Sequence, residues 1–507
     1  MGWFKEMATK AAIKLLNIQP AIQNPVMIRE PLSYEGNVMK NRIWYRGDPS
    51  ELDQFFKSMA LDQVSKSRFW AAVPSEKLNI RKMHSGLPAI IVETLADIVT
   101  SDINSIDMEE TQQKIWEEIC KDNKFNKLIK KSIVESLVAG DGAFKITIDT
   151  DLTPYPILEY YSGERVDYTV KRGRLQEVQF FTDYTIRNKN YRLIESFGRG
   201  YIKNKLVDER GEEVPLSLVP GLEQLQDVTF DNSFMMAVPM KFFESQKWSG
   251  RGKSIFDNKT DSFDALDEVI SQWIDAIRAG RVQKYIPEDL IPHNPNTGEP
   301  LQPNPFDNQF IQLNSSLTEG ENSKIDMIQP EIRYQAFIES YAKALDMCLQ
   351  GIISPATLGI DLKKLDNAEA QREKEKTTLY TRKKIIDELQ EVLPELINTI
   401  FKTFEVMNNN APKDDMDITI NFGEYASPSF NDKVETVGKA KTFGVMSIEQ
   451  CIEELYGDTW TDEEKAEEVE RLKEEQGYMT TDEPPIVGDD EKYKDDDPEE
   501  IEDGEEE

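Results

Sequence analysis

The chain has 507 residues and carries 94 acidic against 60 basic side chains, which gives a formal net charge of −34. A protein that holds nucleic acid tightly needs a basic face, so this composition argues against tight binding of DNA. With 39% hydrophobic residues the chain can build substantial cores, and its length suggests about three domains.

The charge is concentrated at the C-terminus. Residues 461–507 contain 23 acidic and 5 basic residues, which leaves a net charge of −16 on the first 460. Runs of acidic residues cannot bury enough apolar surface to order themselves. We therefore predict that residues 476–507 form a disordered acidic tail.

The cysteines and the apolar stretches restrict the compartment. Three widely separated cysteines give neither a disulfide framework nor zinc spacing, so we expect a reducing environment. The longest apolar stretch, residues 87–99, is too short and too charged to cross a bilayer, and residues 1–19 lack the apolar core of a signal peptide. An intracellular, soluble protein without a membrane partner is expected.

The first half of the chain changes from a helical to a strand period. Apolar residues at helical spacing predict helices over 48–70 and 87–101, and one or two more within 108–140. From residue 142 apolar and polar residues alternate between turn signals, up to about residue 243. This alternation predicts an antiparallel β region.

Two similar helices are predicted to flank a proline-rich insert. Residues 261–281 place apolar side chains at helical spacing, with Asp264 and Asp267 among the other positions. Six prolines within nineteen residues then exclude a long helix. A second helix is predicted over 331–351. The layout suggests a stalk with a small module at its far end, although the two apolar stripes would also suit an ordinary core or a dimeric coiled coil.

The remaining elements are mostly helical. The longest pattern covers 367–408 and includes Pro394, which predicts a kink near Gln390. A strand is predicted over 417–422. Helices follow over 430–443, 447–456 and 462–475.

Signs of catalysis are weak. The two histidines have no histidine or cysteine at ligand spacing, and we predict no catalytic, cofactor or metal site. The sequence Gly252-Lys-Ser254 matches the end of a phosphate-binding loop, but Lys247 stands where that motif needs glycine. We interpret the segment as a flexible turn that opens a helix, with Ser254 or Asp257 near the N-cap.

Five segments in this order make the chain resemble the portal (connector) proteins of long-tailed double-stranded-DNA bacteriophages over most of residues 40–475. They are Ile43-Trp-Tyr-Arg-Gly-Asp48 with Glu51, Leu52 and Phe55; Gly140-Asp-Gly-Ala-Phe144; Gly252-Lys-Ser-Ile255 before Ile270-Ser-Gln-Trp273; Leu349-Gln-Gly-Ile-Ile-Ser-Pro-Ala-Thr-Leu-Gly359; and Lys364-Leu-Asp-Asn-Ala-Glu-Ala-Gln-Arg-Glu-Lys-Glu-Lys376.

The resemblance implies an α+β fold assembled as a ring, typically of twelve subunits, at one vertex of the capsid. Its parts would be a mixed α/β wing, a two-helix stem, a small α/β clip, a tunnel loop, a long kinked helix and a helical crown. They map onto residues as follows: wing 1–255, stem 256–282 and 331–352, clip 283–330, tunnel loop 353–366, long wing helix and strand 367–430, crown 431–475.

The resemblance also implies partners and candidate residues. Viral DNA would pass through the channel without sequence specificity. The terminase large subunit and a head-completion adaptor would dock on the clip, and capsid and scaffolding proteins would contact the ring in the virion or, during assembly, in the host cytoplasm. Candidate residues are Trp273, Ile277, Phe337 and Tyr341 for stem packing, Lys284, Tyr285, Glu288 and Asp289 for clip docking, and Lys363 and Lys364 for contact with DNA. The two tunnel-loop lysines could equally be solvated and contact nothing.

Two other functions stay open. The first is a minor head or scaffolding protein without a channel, which the β region and the proline-rich insert argue against. A packaging ATPase or nuclease would need a complete phosphate loop or a clustered acidic metal site.

Overall fold

The computed structural model describes residues 32–59, 63–73, 80–230, 234–280, 283–287, 291, 293–299, 309–313, 326–328, 330–360, 368–423, 430–457 and 460–475. They contain both helices and strands, which confirms the predicted α+β class. The chain divides into two compact units: Met1–Leu365 with Glu369–Tyr425, and Asp366–Ala368 with Ala426–Glu507.

Helices dominate the first part of the larger unit. They are α1 (Tyr34–Arg46), α2 (Pro49–Ser58), α3 (Gln63–Lys66), α4 (Leu87–Ser101), α5 (Glu110–Asn123) and α6 (Phe125–Ala139). Helix α4 has the predicted bounds, whereas the helix predicted over 48–70 ends at Ser58. Asp48 caps α2 by accepting a hydrogen bond from the backbone N–H of Ser50, and Pro49 occupies the first turn.

The first strand of the larger unit, β1 (Ile103–Asp107), was not predicted. The strands that follow it before the next long helix confirm the antiparallel region predicted from residue 142 to about residue 243. They are β2 (Asp141–Thr147), β3 (Ile157–Ser162), β4 (Val166–Lys171), β5 (Arg174–Ile186), β6 (Lys189–Gly198), β7 (Tyr201–Asp208), β8 (Glu213–Val214), β9 (Val228–Thr229) and β10 (Ala237–Lys241).

Two antiparallel sheets arise from these strands. One has the order β10-β2-β3, and the other runs from β4 through β8 in sequence order, with β9 added to β7. Two-residue turns with positive φ connect β4 to β5 at Arg172 and Gly173, and β5 to β6 at Arg187 and Asn188. Left-handed residues match the twist of hairpin strands, which explains the sharp reversals.

The two helices predicted to flank the insert and the predicted long helix are present. Helices α7 (Thr260–Ala279) and α8 (Tyr334–Leu349) flank β11 (Gln283–Pro287), β12 (Gln309–Leu313) and β13 (Asp326–Ile328). The last three strands form a sheet of order β12-β11-β13. The resemblance implies a clip that also contains a helix, and that helix stays a prediction. Helix α9 (Ala368–Met407) continues through Pro394, whereas the kink near Gln390 stays a prediction.

The larger unit has one main hydrophobic core, which joins α1, α2, α4–α6, the β10-β2-β3 sheet, the start of α7, the end of α8 and much of α9. Strand β14 (Thr419–Phe422) pairs antiparallel with β1. Arg382 of α9 secures this pair, because its side chain donates to the Asp102 carboxylate at 2.5 Å and to the carbonyl of Gly423.

The smaller unit contains the three helices predicted near the C-terminus: α10 (Phe430–Thr442), α11 (Ile448–Tyr456) and α12 (Asp462–Glu475). Ser447 caps α11 by accepting a hydrogen bond from the backbone N–H of Gln450. Ion pairs between Lys473 and Glu449 and between Lys465 and Glu453 join α12 to α11.

Candidate functional site

Helices α7 and α8 pack antiparallel and are called the stem pair below. At one end, the Lys259 ammonium donates to the carbonyls of Met347 and Gln350 at 2.8 and 2.7 Å. At the other end, a Cβ added to Gly280 would lie 2.5 Å from the Ile332 side chain, so that side chain packs directly on the backbone of Gly280. The first contact joins the start of α7 to the end of α8, and the second joins the end of α7 to the start of α8.

Three of the four predicted stem-packing residues meet in the middle of the stem pair. The Trp273 ring stacks on Phe337 with centroids 6.4 Å apart and planes 2° apart, and Tyr341 lies 6.4 Å from the same indole. Ile277, one turn beyond Trp273, is 46% exposed. The aromatic group therefore holds the two helices together within one chain, whereas a role of these residues between subunits stays a prediction.

The stem pair exposes apolar side chains on more than one flank. Tyr334 is 59% exposed, Ile338 is 48% exposed and Met347 is 55% exposed, all on α8. Ile338 and Met347 are nine residues apart, which is two and a half helical turns, so they lie on opposite sides of α8. Two separate surfaces would be needed to cover them.

Asp264 anchors α7 to the preceding helical region. Its two carboxylate oxygens accept hydrogen bonds from the backbone N–H groups of Phe69 and Trp70 at 2.8 and 3.1 Å. Burial raises the pKa of Asp264 above its ordinary value, and the two backbone donors partly oppose that effect. Both donors come from residues about 195 positions earlier in the chain, so the carboxylate ties together distant parts of the sequence.

Asp267, one turn further along α7, is fully buried and has three more partners. It accepts from the indole N–H of Trp70 at 3.1 Å and from the backbone N–H of Ser85 at 2.9 Å. Its Oδ2 also lies 2.7 Å from Nδ1 of His84, whose ring is 3% exposed. His84 is thus a buried structural histidine, whereas His293 is exposed.

These contacts change the interpretation of the polar face of α7. The sequence pattern placed Asp264 and Asp267 with the solvated positions, but the two residues are 8% and 0% exposed. Backbone and indole donors satisfy both carboxylates, and hydrogen bonds of that kind make a buried charge tolerable. Hydrophobic periodicity carries no information about such partners.

Residues 140–144 and 252–255, two of the five segments that carry the resemblance, meet beside a buried ion pair. Asp141 is 0% exposed and receives the Arg251 guanidinium through two bonds, at 3.0 and 2.9 Å. The Tyr34 hydroxyl and the backbone N–H of Gly252 also donate to Asp141, at 2.8 and 2.6 Å. Burial alone would lower the pKa of Arg251, but the Asp141 carboxylate together with Tyr34 and Tyr168 outweighs it and raises this pKa above its ordinary value.

Glycines allow the backbones to meet beside this ion pair. A Cβ on Gly252 would lie 2.1 Å from the carbonyl oxygen of Gly140, and a Cβ on Gly140 would lie 2.7 Å from that of Gly252. Gly140 also has a φ of +109°, which side chains disfavour. A side chain at either position would collide with the backbone of the other segment, so both positions require glycine.

The same geometry corrects the N-cap prediction. Helix α7 begins only at Thr260, behind Lys259, so neither Ser254 nor Asp257 caps it. Ser254 is fully buried and donates to the carbonyl of Leu137 at 3.1 Å. Gly252-Lys-Ser254 is a structural crossing with α6 and β2, without the glycine that a phosphate loop requires.

The loop after α8 is fastened to α9. Thr378 accepts a hydrogen bond from the backbone N–H of Ser354 at 2.9 Å, and its hydroxyl lies 2.7 Å from that of Thr357. Thr381 donates to the carbonyl of Ile352 at 2.6 Å. The loop therefore starts from a fixed position on the long helix, and the predicted DNA-facing residues Lys363 and Lys364 lie outside the described residues.

The structure places half of the predicted clip candidates. Lys284 and Tyr285 belong to the central strand β11, in register with Met327 and Asp326 of β13. The other two candidates, Glu288 and Asp289, lie outside the described residues. The docking role of all four stays a prediction.

Neither a membrane span nor a metal cluster is found in the described part of the chain. Its helices are too short or too polar to traverse a bilayer. Its histidine, cysteine and acidic side chains form no group of three that could hold a metal ion.

The chain matches one protein-family model and several solved structures. The model described as "Phage portal protein, SPP1 Gp6-like" matches residues 34–481. No curated protein matches the chain.

Three solved structures to which the chain is similar come from gene transfer agent (GTA) particles. For a chain of the structure titled "Virion of native gene transfer agent (GTA) particle" the identity is 11% and the TM-score 0.38, covering 91% of this chain and 98% of that one. For "Neck of native GTA particle computed with C12 symmetry" the values are 13% and 0.38, covering 76% and 89%. For "Neck of empty GTA particle computed with C6 symmetry" they are 12% and 0.35, covering 74% and 88%.

Proposed function

Because the chain belongs to the SPP1 Gp6-like family of phage portal proteins, we propose that its copies assemble into a ring around a channel for viral DNA. The ring would occupy one capsid vertex of the virion, after assembly in the host cytoplasm. Family membership itself gives the chain the role of a portal protein, which is a structural component of a phage particle. The packaging-ATPase and scaffolding alternatives have no comparable support.

The observation that carries the proposal of a ring is the pair of uncovered apolar flanks on the stem pair. A subunit of a cyclic ring contacts two neighbours through two different surfaces. Exposed apolar side chains on opposite sides of α8, such as Ile338 and Met347, supply one contact for each neighbour. Burying a side chain of this size contributes about 1.5 to 3 kcal/mol.

The proposed divisions follow the elements. The wing comprises residues 1–255 and 367–430, the stem 256–282 and 331–352, and the clip 283–330. The tunnel loop is 353–366, the crown is 431–475, and residues 476–507 form the acidic tail. In this scheme Asp264 and Asp267 join the stem to the wing, and Thr378 and Thr381 hold the tunnel loop.

An acidic composition suits a channel through which DNA slides better than a protein that binds DNA tightly. A channel that bound phosphates strongly would retard DNA, and an acidic lining with a few lysines would let it slide. At physiological salt, charges farther than about 8 Å from the duplex are screened, so only residues lining the bore act on it. Lys363 and Lys364 are the proposed lining cations, whose contacts with DNA are weak and independent of sequence.

The clip sheet is the proposed docking platform. Terminase large subunit would bind it during packaging and a head-completion adaptor afterwards, through residues near Lys284, Tyr285, Glu288 and Asp289. Capsid and scaffolding proteins are the other proposed neighbours. The proline-rich composition of the insert supports a rigid, projecting module.

Charge substitutions on α8 test the ring. Ile338→Lys places an ammonium in the proposed contact, and we expect it to abolish rings in electron micrographs while the far-ultraviolet circular dichroism stays unchanged. Glu339→Lys makes an even larger charge change at an exposed position of α8 between the two flanks and should leave rings intact. Normal rings from Ile338→Lys would refute the stem contact.

A second experiment tests the channel lining. Lys363→Glu combined with Lys364→Glu should leave ring assembly intact but reduce packaging or retention of DNA. Normal packaging by the double variant would show that the two lysines contact nothing.

A further inference from the structure

A groove runs along β1 on the side away from β14. All five residues of β1 line it, no residue of β14 does, and its volume is about 710 Å³. The other wall is formed by the end of α5 and the start of α6, with Trp116 and Phe125 as apolar lining. We call it the β1 groove. Its size lies within the range of sites that hold ligands or short peptides.

The strand along this groove has a free edge. Among the described residues, β14 is the only strand that pairs with β1, and no other described segment forms a backbone hydrogen bond with residues 103–107. An edge strand presents a row of unpaired N–H and C=O groups, which can pair with an added strand. Five residues at ~3.3 Å each give an edge of roughly 16 Å, enough for an extended segment of similar length.

The charge of the wall opposite β1 indicates which charge a bound segment should carry. Lys121, Lys124 and Lys127 line the groove, are exposed, and form no ion pair with any described residue. The acidic residues of the lining are Asp107 and Glu117. Asp107 lies on β1, so the wall formed by α5 and α6 has three lysines against the single carboxylate of Glu117 and carries a net positive charge.

We propose that the β1 groove binds an extended acidic segment of a partner protein, which adds to β1 as a further strand. The segment's backbone pairs with the free edge of β1. Alternate side chains of a strand point to opposite faces, so apolar residues would face the apolar lining of the groove while acidic residues face the three lysines. This surface is separate from the stem and the clip, and the proposal stands independently of the ring.

Binding can be measured with a fluorescein-labelled octapeptide of alternating glutamate and valine added to the full-length protein at low salt. We expect a saturable rise in fluorescence anisotropy. Lys124→Glu with Lys127→Glu should weaken binding at least tenfold. Lys114→Glu with Lys131→Glu changes the net charge equally outside the groove and should alter binding less than twofold. Absence of saturable binding, or equal loss in both variants, would overturn the proposal.

Backbone pairing has its own test. N-methylation removes the N–H donor, and alternate N–H groups of a strand point to the same edge. Of two peptides N-methylated on all glutamates or on all valines, one should lose at least tenfold in affinity while the other changes less than threefold. Equal behaviour of the two peptides would exclude strand addition.

Two further measurements identify other occupants. Deletion of residues 478–507 should leave the affinity of the peptide unchanged, and a tenfold gain would assign the groove to the chain's own acidic tail instead. Saturating peptide should leave the assembly mass unchanged in mass photometry. Dissociation of the assembly would identify the occupant as a second copy of the chain, and either of these results would overturn the proposed partner.

Discussion

Replacing Arg251 by methionine should open the crossing between β2 and residues 249–256. The substitution keeps a long side chain but leaves the Asp141 carboxylate, whose side chain is 1% exposed, without its cation. Removing one partner of a buried ion pair typically lowers the free energy of unfolding by about 3 to 5 kcal/mol. Tyr34 and the Gly252 amide still donate to Asp141, so the lower end, about 3 kcal/mol, is expected.

Hydrogen exchange followed by mass spectrometry measures this opening locally. A loss of about 3 kcal/mol corresponds to roughly a hundredfold faster exchange of the protected amides around Gly252 and in β2. Arg192→Met is the matched control, because its pair with Asp183 is 43% and 67% exposed. An exposed pair contributes at most about 1 kcal/mol, so exchange there should change by about fivefold or less.

The double variant makes the test specific. If an unpaired buried charge causes the loss, Arg251→Met with Asp141→Asn should exchange more slowly than Arg251→Met alone, since the carboxylate is gone. An effect of Arg251→Met no larger than that of the control would refute the reasoning. So would a double variant that is at least as destabilised as the sum of the single ones.

Three other predictions concern separate parts of the molecule. Burial raises the pKa of the Cys120 and Cys348 thiols to about 12. Iodoacetamide at pH 8 should therefore label both roughly a thousandfold more slowly in the folded protein than in the unfolded chain, as measured by peptide mass spectrometry. Labelling at comparable rates would contradict this. Trp273→Ala removes the stacking with Phe337, worth about 1 kcal/mol, and should speed amide exchange in the stem pair several-fold, whereas unchanged exchange would show that the stack is dispensable. Truncation after Gly477 should leave a soluble, folded ring, and loss of folding measured by circular dichroism would show that the tail is structural.

Hydrophobic periodicity located the elements in which packing and pattern agree. Helices α4 and α7 have bounds within one or two residues of those predicted, because their apolar positions recur every 3.6 residues and face one core. Helix α1 was missed. Its buried face includes Asn37 and Asn41, whose amides donate to the Asp257 carboxylate at 3.0 and 3.2 Å, and a search for apolar stripes cannot find such a face.

The buried polar connections escaped prediction for the same reason. Asp267 looks like a solvated residue in the sequence, and its hydrogen-bond partners are Trp70, His84 and Ser85, nearly two hundred residues away. Asp141 did stand inside a segment that carried the family resemblance, and Arg251 directly precedes another. Glycines beside both residues were the available signal, since close backbone approach is one of the few roles that only glycine fills.

Strand β1 also has a local cause for being missed. Only two of its five residues are apolar, and the strand is completed by β14, more than three hundred positions later in the chain. Pairing over such a distance leaves no trace in a short window of sequence. The groove beside β1 could therefore be found only from the structure.

Electron microscopy of the purified full-length chain tests the central claim most directly. The account predicts closed rings of uniform copy number with a central hole wide enough for duplex DNA. Monomers or elongated dimers, at concentrations and salt where the protein is folded, would contradict it.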